Sequence, residues 1–207
     1  MKKSGFLNIL LVAGLLLVSY RLLWSSGSDS KETASPTTYE DIMTRTSVRA
    51  YSDRAVSDEA MDSLLRAAMA APTAGNKQPW RFVVIRDTVT LNYIGENFGS
   101  MKMMRQAKAA VVVCGDTTAT FSGEGVGYWI QDASAATENL LLAAHAIGLG
   151  AVWCGVYPMT ERVESFSSLL KLPKEILPLN CIAIGYPAGE TEPKDKWKPE
   201  YIHTNVW

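Results

Sequence analysis

Histidine and cysteine are scarce in this sequence of 207 residues, which holds two of the former and three of the latter. Cys114, Cys154 and Cys181 are far apart and lie in apolar runs, so they form neither a zinc-knuckle spacing nor a CxxC redox pair. We expect them to pack as small buried hydrophobes. His145 lies in an apolar run and is expected to pack as well, and His203 is given no role. With no Ser–His–Asp grouping, paired acid or metal-ligand cluster, the sequence offers no catalytic side chain.

A surplus of charge of either sign is also missing, because 20 basic and 21 acidic residues give a formal net charge of -1. Extended binding to phosphate backbones needs Lys and Arg concentrated on one face, so this balance argues against a nucleic-acid partner. No glycine fingerprint follows any of the predicted strands. Hydrophobic residues make up 47% of the chain, which is enough to bury a substantial core. We therefore expect one folded domain with a locally charged site.

The long hydrophobic run lies at the N-terminus. Lys2 and Lys3 precede the apolar residues 6–20, and a second short apolar stretch follows Arg21. This is a targeting profile, and we interpret residues 1–24 as an uncleaved membrane anchor. A cleaved signal peptide is the first alternative, and a buried helix of the domain is the second.

Residues 25–36 are polar and predict a solvated linker, which leaves 37–207 as the folded domain. The two N-terminal lysines favour a cytoplasmic start, so a retained anchor places the domain on the extracytoplasmic side.

Helical and strand patterns alternate along the domain without internal repeats, which indicates an α/β or α+β fold. Five helices are predicted. The first is capped by Thr38, the second covers 57–71, and the third passes through Leu91, Ile94, Met101 and Met104. The fourth covers 128–147, and the fifth is capped by Thr160. Gly148 and Gly150 are expected to end the long helix. The predicted strands are 81–86, 109–114, 151–154 and 179–185. Residues 117–127, rich in Gly, Thr and Ser, predict a loop.

The first cluster with chemical meaning is Arg45-Thr-Ser-Val-Arg49. In an extended segment, alternate residues point to one side, so two guanidinium groups flank the hydroxyl of Ser47. Arginine makes charge-assisted, forked hydrogen bonds to phosphate oxygens, and a serine hydroxyl fills a remaining acceptor. The cluster therefore suits a single phosphate, although a solvated surface strand has the same pattern.

The second cluster, residues 71–80, has the sequence APTAGNKQPW and leads from an apolar helix into a strand. The amides of Asn76 and Gln78 can pair with a ring that presents both donors and acceptors, as flavins do. Gly75 permits close approach of the backbone. A plain helix-to-strand connection full of turn formers is the alternative.

Together these clusters resemble two motifs of the nitroreductase family, which lie about 25 residues apart and open its fold. The likeness extends over Tyr39 to Trp207, and three more segments contribute to it. They are Gln131-Asp-Ala-Ser-Ala-Ala-Thr-Glu-Asn139, which runs on to Trp153, and the tail segments Gly185-Tyr-Pro-Ala-Gly189 and Pro193-Lys-Asp-Lys-Trp197.

The resemblance implies an α+β fold in which a mixed, mainly antiparallel sheet is flanked by helices. It also implies a domain-entwined homodimer with one flavin mononucleotide (FMN) in each of two clefts lined by both subunits. The implied cofactor-binding residues fall into three groups. Arg45, Thr46, Ser47 and Arg49, with Lys194 or Lys196, would bind the phosphate end. Thr73, Asn76 and Gln78 would reach the flavin from the partner chain. Trp153, Cys154 and Gly155 would lie beside the ring. Lys196 stands where the family commonly has an arginine, which keeps the charge but loses bidentate geometry.

The implied activity is ping-pong transfer of electrons from NADH, NADPH or another donor to a small oxidised substrate such as a nitroaromatic, quinone or enone. Three alternatives stay open. The first is a membrane-tethered protein that holds flavin without turnover, and the second is a dehalogenase-type member of the same fold. The third is a domain with no cofactor. A Glu-x-x-x-Tyr lid pattern typical of the dehalogenases does not follow Trp80, which ranks the second alternative below electron transfer.

Overall fold

The computed structural model describes residues 37–207, and the predicted anchor and linker, 1–24 and 25–36, lie outside the described residues. The helices are α1 (Thr38–Thr44), α2 (Asp58–Met69), α3 (Thr88–Asn97), α4 (Tyr128–Ala146) and α5 (Thr160–Leu170). The strands are β1 (Trp80–Ile85), β2 (Ala109–Asp116), β3 (Gly150–Gly155) and β4 (Ile176–Gly185). Short 3-10 segments occupy Ala74–Asn76, Gly99–Arg105, Gly123–Gly127 and Pro199–Tyr201. None of the helices within 37–207 has both the length and the apolar character needed to cross a bilayer.

The four strands form one antiparallel sheet in the order β1-β2-β4-β3. Every position of β2 is buried, because this strand is central and both faces of the sheet are covered. The register of β2 against β4 shifts between Val113 and Cys114. The antiparallel pairing decides between the two predicted classes in favour of α+β.

Helices cover both faces of the sheet and create two cores. Val111 and Val113 of β2 pack with residues of α2 and α4, whereas Val112 and Cys114 face α3, the 3-10 segment after it and α5. This alternation follows from the two-residue period of a strand. All three cysteines are buried and free, as expected.

Two predicted helix starts are wrong by one residue. The cap of α1 is Thr37, not Thr38: Thr37 Oγ1 accepts the N–H of Glu40 at 3.2 Å, and the Glu40 carboxylate accepts the N–H of Thr37 at 2.6 Å. Helix α5 has no side-chain cap, because its N-cap is Met159 and Thr160 is already helical. A run of adjacent threonines does not reveal which one keeps extended backbone angles.

The single helix predicted through Leu91 and Met104 is wrong, because there are two pieces. Helix α3 ends at Asn97, and Phe98 is extended with φ -118° and ψ 100°. The apolar spacing continues across the break because both pieces pack into the same core. The ring of Phe98 contacts that of Phe166 at a centroid separation of 5.0 Å, which stabilises the extended residue.

Helix α4 ends in a Schellman motif, as the first of the two predicted glycines indicates. The N–H of Gly148 donates to His145 O at 2.9 Å and that of Leu149 to Ala144 O at 2.8 Å, with φ +78° at Gly148. Gly150 has a different function from the predicted one, because it is the first residue of β3.

Candidate functional site

The cationic segment 45–49 lies along the outer edge of the sheet, beside β3. Ser47 forms a parallel bridge with Ala151, and the N–H of Val48 donates to Ala151 O at 3.1 Å. Val48 is buried, whereas Ser47 and Arg49 on either side of it are exposed. The alternation that the sequence predicts for an extended segment is therefore present.

Close packing holds this segment against the sheet. A Cβ atom added to Gly150 would lie 2.7 Å from Val48 Cβ, so only glycine lets the two backbones approach this closely. The Tyr51 hydroxyl lies 2.7 Å from Val48 O and 3.2 Å from Ala183 O. Burial raises the pKa of Tyr51 well above its ordinary value, so this hydroxyl keeps the proton that it donates.

The beginning of the C-terminal tail follows the same segment. The N–H of Ala188 donates to Ala50 O at 3.0 Å, and the N–H of Ser52 donates to Tyr186 O at 2.8 Å. These bonds direct residues 189–198 towards the cationic segment, although the two lie at opposite ends of the domain sequence.

As a result, six residues from the two segments surround one cavity of about 180 Å³. They are Arg45, Thr46, Ser47, Arg49, Lys194 and Lys196. Arg45 Nε lies 3.3 Å from Glu138 Oε1, but Arg49 and both lysines form no ion pair with any acid of residues 37–207. Four cations and two hydroxyls around so small a space make a site for an anion. The predicted phosphate residues are thus together, and their role as cofactor ligands stays a prediction.

The predicted ring-side residues Trp153, Cys154 and Gly155 continue along the same edge strand. Ala151 O bonds to the cationic segment, so the main-chain groups of Ala151 point to the outer edge of the sheet. Every second residue of a strand points the same way, and the main-chain N–H and C=O groups of Trp153 and Gly155 therefore face this edge as well. Gly155 O accepts from Arg162 Nη1 at 2.8 Å, which agrees with this direction. At about 3.3 Å per residue, Trp153 and Gly155 lie roughly 7–13 Å beyond Ala151.

At this end of β3 the side chain of Trp153 is partly exposed, whereas the thiol of Cys154 is buried. Trp153 is 36% exposed, whereas Cys154 is buried with its Sγ 4.0 Å from Met103 Sδ. Burial raises the pKa of the Cys154 thiol to about 11, with smaller opposing effects of Arg49 and Arg162. The thiol is therefore neutral near pH 7 and acts by packing, not as a nucleophile.

The predicted amide residues lie in a tight turn that lines none of the cavities around Arg45. Gln78 Nε2 donates to Asn76 Oδ1 at 2.8 Å, and the N–H of Gln78 donates to Thr73 Oγ1 at 3.3 Å. Asn76 and Gln78 are exposed and have positive φ values of +54° and +50°. Strained backbone at exposed polar residues is typical of binding sites.

Two residues that support this turn were missed in the sequence. Asp132 of α4 is buried, its Oδ1 accepts the N–H of Ala74 at 2.9 Å, and its Oδ2 has no partner within residues 37–207. Phe121 lies against the other side, where a Cβ on Gly75 would be 2.8 Å from Phe121 Cζ. Neither residue gave a local signal, because Asp132 lies among other polar residues of α4 such as Gln131 and Glu138.

His145 forms a hydrogen bond between α4 and α1, whereas the sequence predicted only a packing role for it. Its Nε2 lies 2.9 Å from Thr44 Oγ1, and that hydroxyl donates its own proton to Glu40 O at 2.6 Å. His145 Nε2 is therefore the donor to Thr44. His203 stacks on Trp207 with ring centroids 4.2 Å apart.

The fold and the cationic cavity define an α+β domain with an anion site at one sheet edge. Residues 42–101 and 95–186 match the nitroreductase family. The chain belongs to this family.

Similar proteins agree with the assignment. An Archaeoglobus fulgidus protein provisionally named NADH dehydrogenase/NAD(P)H nitroreductase is 46% identical to this chain. The alignment covers 80% of this chain and 96% of the Archaeoglobus protein. The crystal structure of a Parabacteroides distasonis protein with the same provisional name covers 82% of this chain and 98% of its own, at 44% identity and a TM-score of 0.78. A Desulfovibrio desulfuricans structure, provisionally named a nitroreductase in complex with FMN, covers 83% and 98% at 33% identity and a TM-score of 0.71.

Proposed function

We propose that this chain is an FMN-dependent NAD(P)H oxidoreductase that reduces a small oxidised molecule by a ping-pong mechanism. The observation that carries the proposal is the cavity of about 180 Å³ in which segment 45–49 and the two tail lysines converge. Bound FMN would accept two electrons as hydride and release them singly or in pairs, so the protein needs no nucleophile of its own.

The donor set around the cavity fits a phosphate monoester. Arg49 presents a planar fork, Ser47 a hydroxyl, and Lys194 and Lys196 two point charges, and a dianion would balance much of this charge. Arg45 is shared with Glu138, which orients its guanidinium. These residues would bind and orient the phosphate end.

The outer edge of β3 fits the ring end of the same ligand. The main-chain N–H of Trp153 faces this edge and would donate to a ring nitrogen, which favours acceptance of hydride there. The neutral Cys154 beneath it adds no charge that would oppose reduction. The span of roughly 7–13 Å from Ala151 gives the ribityl chain room between the two ends.

We also propose that the protein is a homodimer in which Thr73, Asn76 and Gln78 complete the site of the second copy. Support comes from the exposure of both amides and from their separation from the cavity of the same chain. Mixing the variants Arg49→Ala and Gln78→Ala tests the arrangement. If the site is shared, each mixed dimer regains one intact site and binds FMN, whereas a site built within one chain gives no recovery.

Turnover separates an enzyme from a protein that only holds flavin. We expect the purified chain to oxidise NADH or NADPH in steady state with a nitroaromatic or menadione as acceptor. Tight flavin binding without turnover would favour the alternative of a tethered flavin carrier. Release of halide from a halogenated tyrosine, with no nitroaromatic reduction, would favour a dehalogenase-type activity.

We further propose that residues 1–24 anchor the domain on the extracytoplasmic side. The support is the sequence pattern alone, with Lys2 and Lys3 before the apolar run. Protease added to intact cells, after permeabilisation of any outer envelope, should degrade the domain while the N-terminus stays in the membrane fraction. Full protection of the domain until the cells are lysed would contradict this orientation.

A further inference from the structure

Arg162 lies at the end of β3 that the ring of a bound flavin would contact. It belongs to the first turn of α5, and its Nη1 donates to Gly155 O at 2.8 Å. Gly155 is the last residue of β3 and one of the proposed ring-side residues. A Cβ atom added to Gly155 would meet nothing within 4 Å, so the surface beside this residue is open. The guanidinium therefore lies next to an open part of the proposed ring site.

The connection between β3 and α5 fixes the position of this guanidinium. The N–H of Tyr157 donates to Leu179 O at 3.0 Å, which holds the connection against β4. The N–H of Arg162 then donates to Met159 O at 2.9 Å in the first turn of α5. Phe166 follows four residues later on the same face of the helix and is fully buried. The side chain of Arg162 is therefore directed towards the sheet and not into solvent.

The charge of Arg162 has no counter-ion within the part of the chain that the structure describes. Arg162 forms no ion pair with any acid of residues 37–207, and Gly155 O is a neutral acceptor. The side chain is half-buried, so solvent and salt screen this charge less than that of an exposed arginine. Arg162 also lines none of the cavities around Arg45, which separates it from the phosphate cations.

The charge of Arg162 reaches the strand beside the proposed ring position. Burial raises the pKa of the Cys154 thiol, and the positive charges of Arg49 and Arg162 act against this rise. Cys154 lies between the two ring-side residues Trp153 and Gly155. A ring placed along this edge would therefore lie between one cation at its phosphate end and a second cation at the far end of β3.

Reduction would create the negative charge that Arg162 can balance. Hydride transfer from NADH or NADPH adds two electrons and one proton to a bound flavin and releases NAD⁺ or NADP⁺. The ring thereby gains one negative charge, and a cation held nearby stabilises this form more than the uncharged oxidised form.

We propose that Arg162 is a positioning residue that raises the midpoint potential of bound FMN and so favours acceptance of hydride. The inference rests on the proposed function, because it requires the flavin ring to lie beside the outer edge of β3. Arg162 holds Gly155 through its hydrogen bond and supplies positive charge at the same place.

A role as a strand cap alone is the alternative, in which Arg162 only satisfies the carbonyl group at the end of β3. The two roles make different demands on the side chain. A cap needs a hydrogen-bond donor, and the amide of glutamine also supplies one. Stabilisation of reduced flavin needs positive charge, which lysine keeps and glutamine lacks. Replacement of Arg162 by each of these residues therefore separates charge from hydrogen bonding.

The test measures the midpoint potential of FMN bound to the full chain, by anaerobic titration against a dye of known potential. Affinity for oxidised FMN is measured on the same proteins. We expect Arg162→Gln to weaken the binding of reduced FMN relative to oxidised FMN about tenfold, which lowers the midpoint potential by about 30 mV for a two-electron couple. Arg162→Lys should keep this ratio within about twofold of wild type. Lys174→Gln, the control, removes an exposed cation beyond the other end of α5 and should leave the ratio unchanged.

Two results would overturn the inference. In the first, Arg162→Gln weakens oxidised and reduced FMN equally, so that the midpoint potential stays the same and Arg162 only supports the strand. In the second, Arg162→Lys lowers the midpoint potential as much as Arg162→Gln does, so that charge is not the cause. If Arg162→Gln does not fold, Arg162→Met is the neutral variant, and the same two results decide. A wild-type chain that binds no FMN would instead contradict the proposed function itself.

Discussion

The main-chain N–H of Ala74 donates a hydrogen bond of 2.9 Å to Oδ1 of Asp132, a buried carboxylate in the central helix. This bond anchors the strained turn that carries Asn76 and Gln78 to the most buried helix of the domain. The exposed amides of the turn are therefore held in place from beneath, although they lie at the surface.

Replacing Asp132 should weaken flavin binding through the position of this turn. We expect Asp132→Ala to lower FMN affinity about tenfold, because leaving the N–H of Ala74 without its partner costs about 1–3 kcal/mol and 1.4 kcal/mol is a factor of ten. Asp132→Asn keeps an acceptor for Ala74 and should stay within about threefold of wild type. Flavin titration measures both, and equal affinity of wild type and Asp132→Ala would show that the bond does not position the turn.

The tail lysine Lys196 gives a second prediction, in which affinity rises. Lys196→Arg adds a planar fork at the phosphate cavity and should tighten FMN binding about threefold, whereas Lys196→Ala should weaken it about tenfold. Binding should also weaken with added salt. Lys174→Ala is the matched control, since Lys174 lines none of the cavities around Arg45. An arginine variant that binds FMN more weakly than the alanine variant would argue against phosphate at this position.

The contact between Gly150 and Val48 predicts a pair of compensating changes. Gly150→Ala places a methyl group 2.7 Å from Val48 Cβ, and overpacking of this kind costs about 1–3 kcal/mol. We expect a lower midpoint of thermal unfolding and weaker FMN binding, because segment 45–49 must move away from the sheet. The double variant Val48→Gly with Gly150→Ala removes this Cβ atom and should recover most of the FMN binding, although it loses the buried valine side chain. If FMN binding does not recover, the segment is not held by this contact.

Buried thiols predict a loss of stability in alkali. Burial raises the pKa of Cys114 to about 12, whereas the thiol of an unfolded chain titrates near about 8.5. Since the folded state keeps its proton over this window, stability falls as pH rises above about 8.5. Cys114→Ala should lose about 2 kcal/mol less than wild type in the free energy of unfolding between pH 8 and pH 10. Urea unfolding at the two pH values gives this difference, and parallel losses in both proteins would mean that Cys114 ionises normally.

The sequence was a good guide wherever one pattern dominated. The four strands and the long helix α4 were predicted within three residues, because continuous apolar runs and a helical period leave few alternatives. The helix predicted across residue 98 failed because apolar spacing reports the face that packs, not whether the backbone is continuous. Phe98 breaks the helix while both of its flanks pack into one core.

The charged residues of the site could be predicted from the sequence, whereas the residues that hold them in position could not. Arg45, Arg49 and Lys196 carry a visible chemical signature, and the cavity brings them together. Gly150 was interpreted as the end of a helix because its contact with Val48 is made by residues about a hundred positions apart. Asp132 and Phe121 support the amide turn by tertiary contacts of the same kind, which no local pattern records.

The absorbance spectrum of the purified full chain, before and after anaerobic addition of NADPH, tests the central claim most directly. If segment 45–49 and the tail bind a flavin, the protein shows the flavin absorbance band in the visible range, either as purified or after addition of FMN. Addition of NADPH then bleaches this band. A protein that acquires no flavin band even with excess FMN would contradict the account.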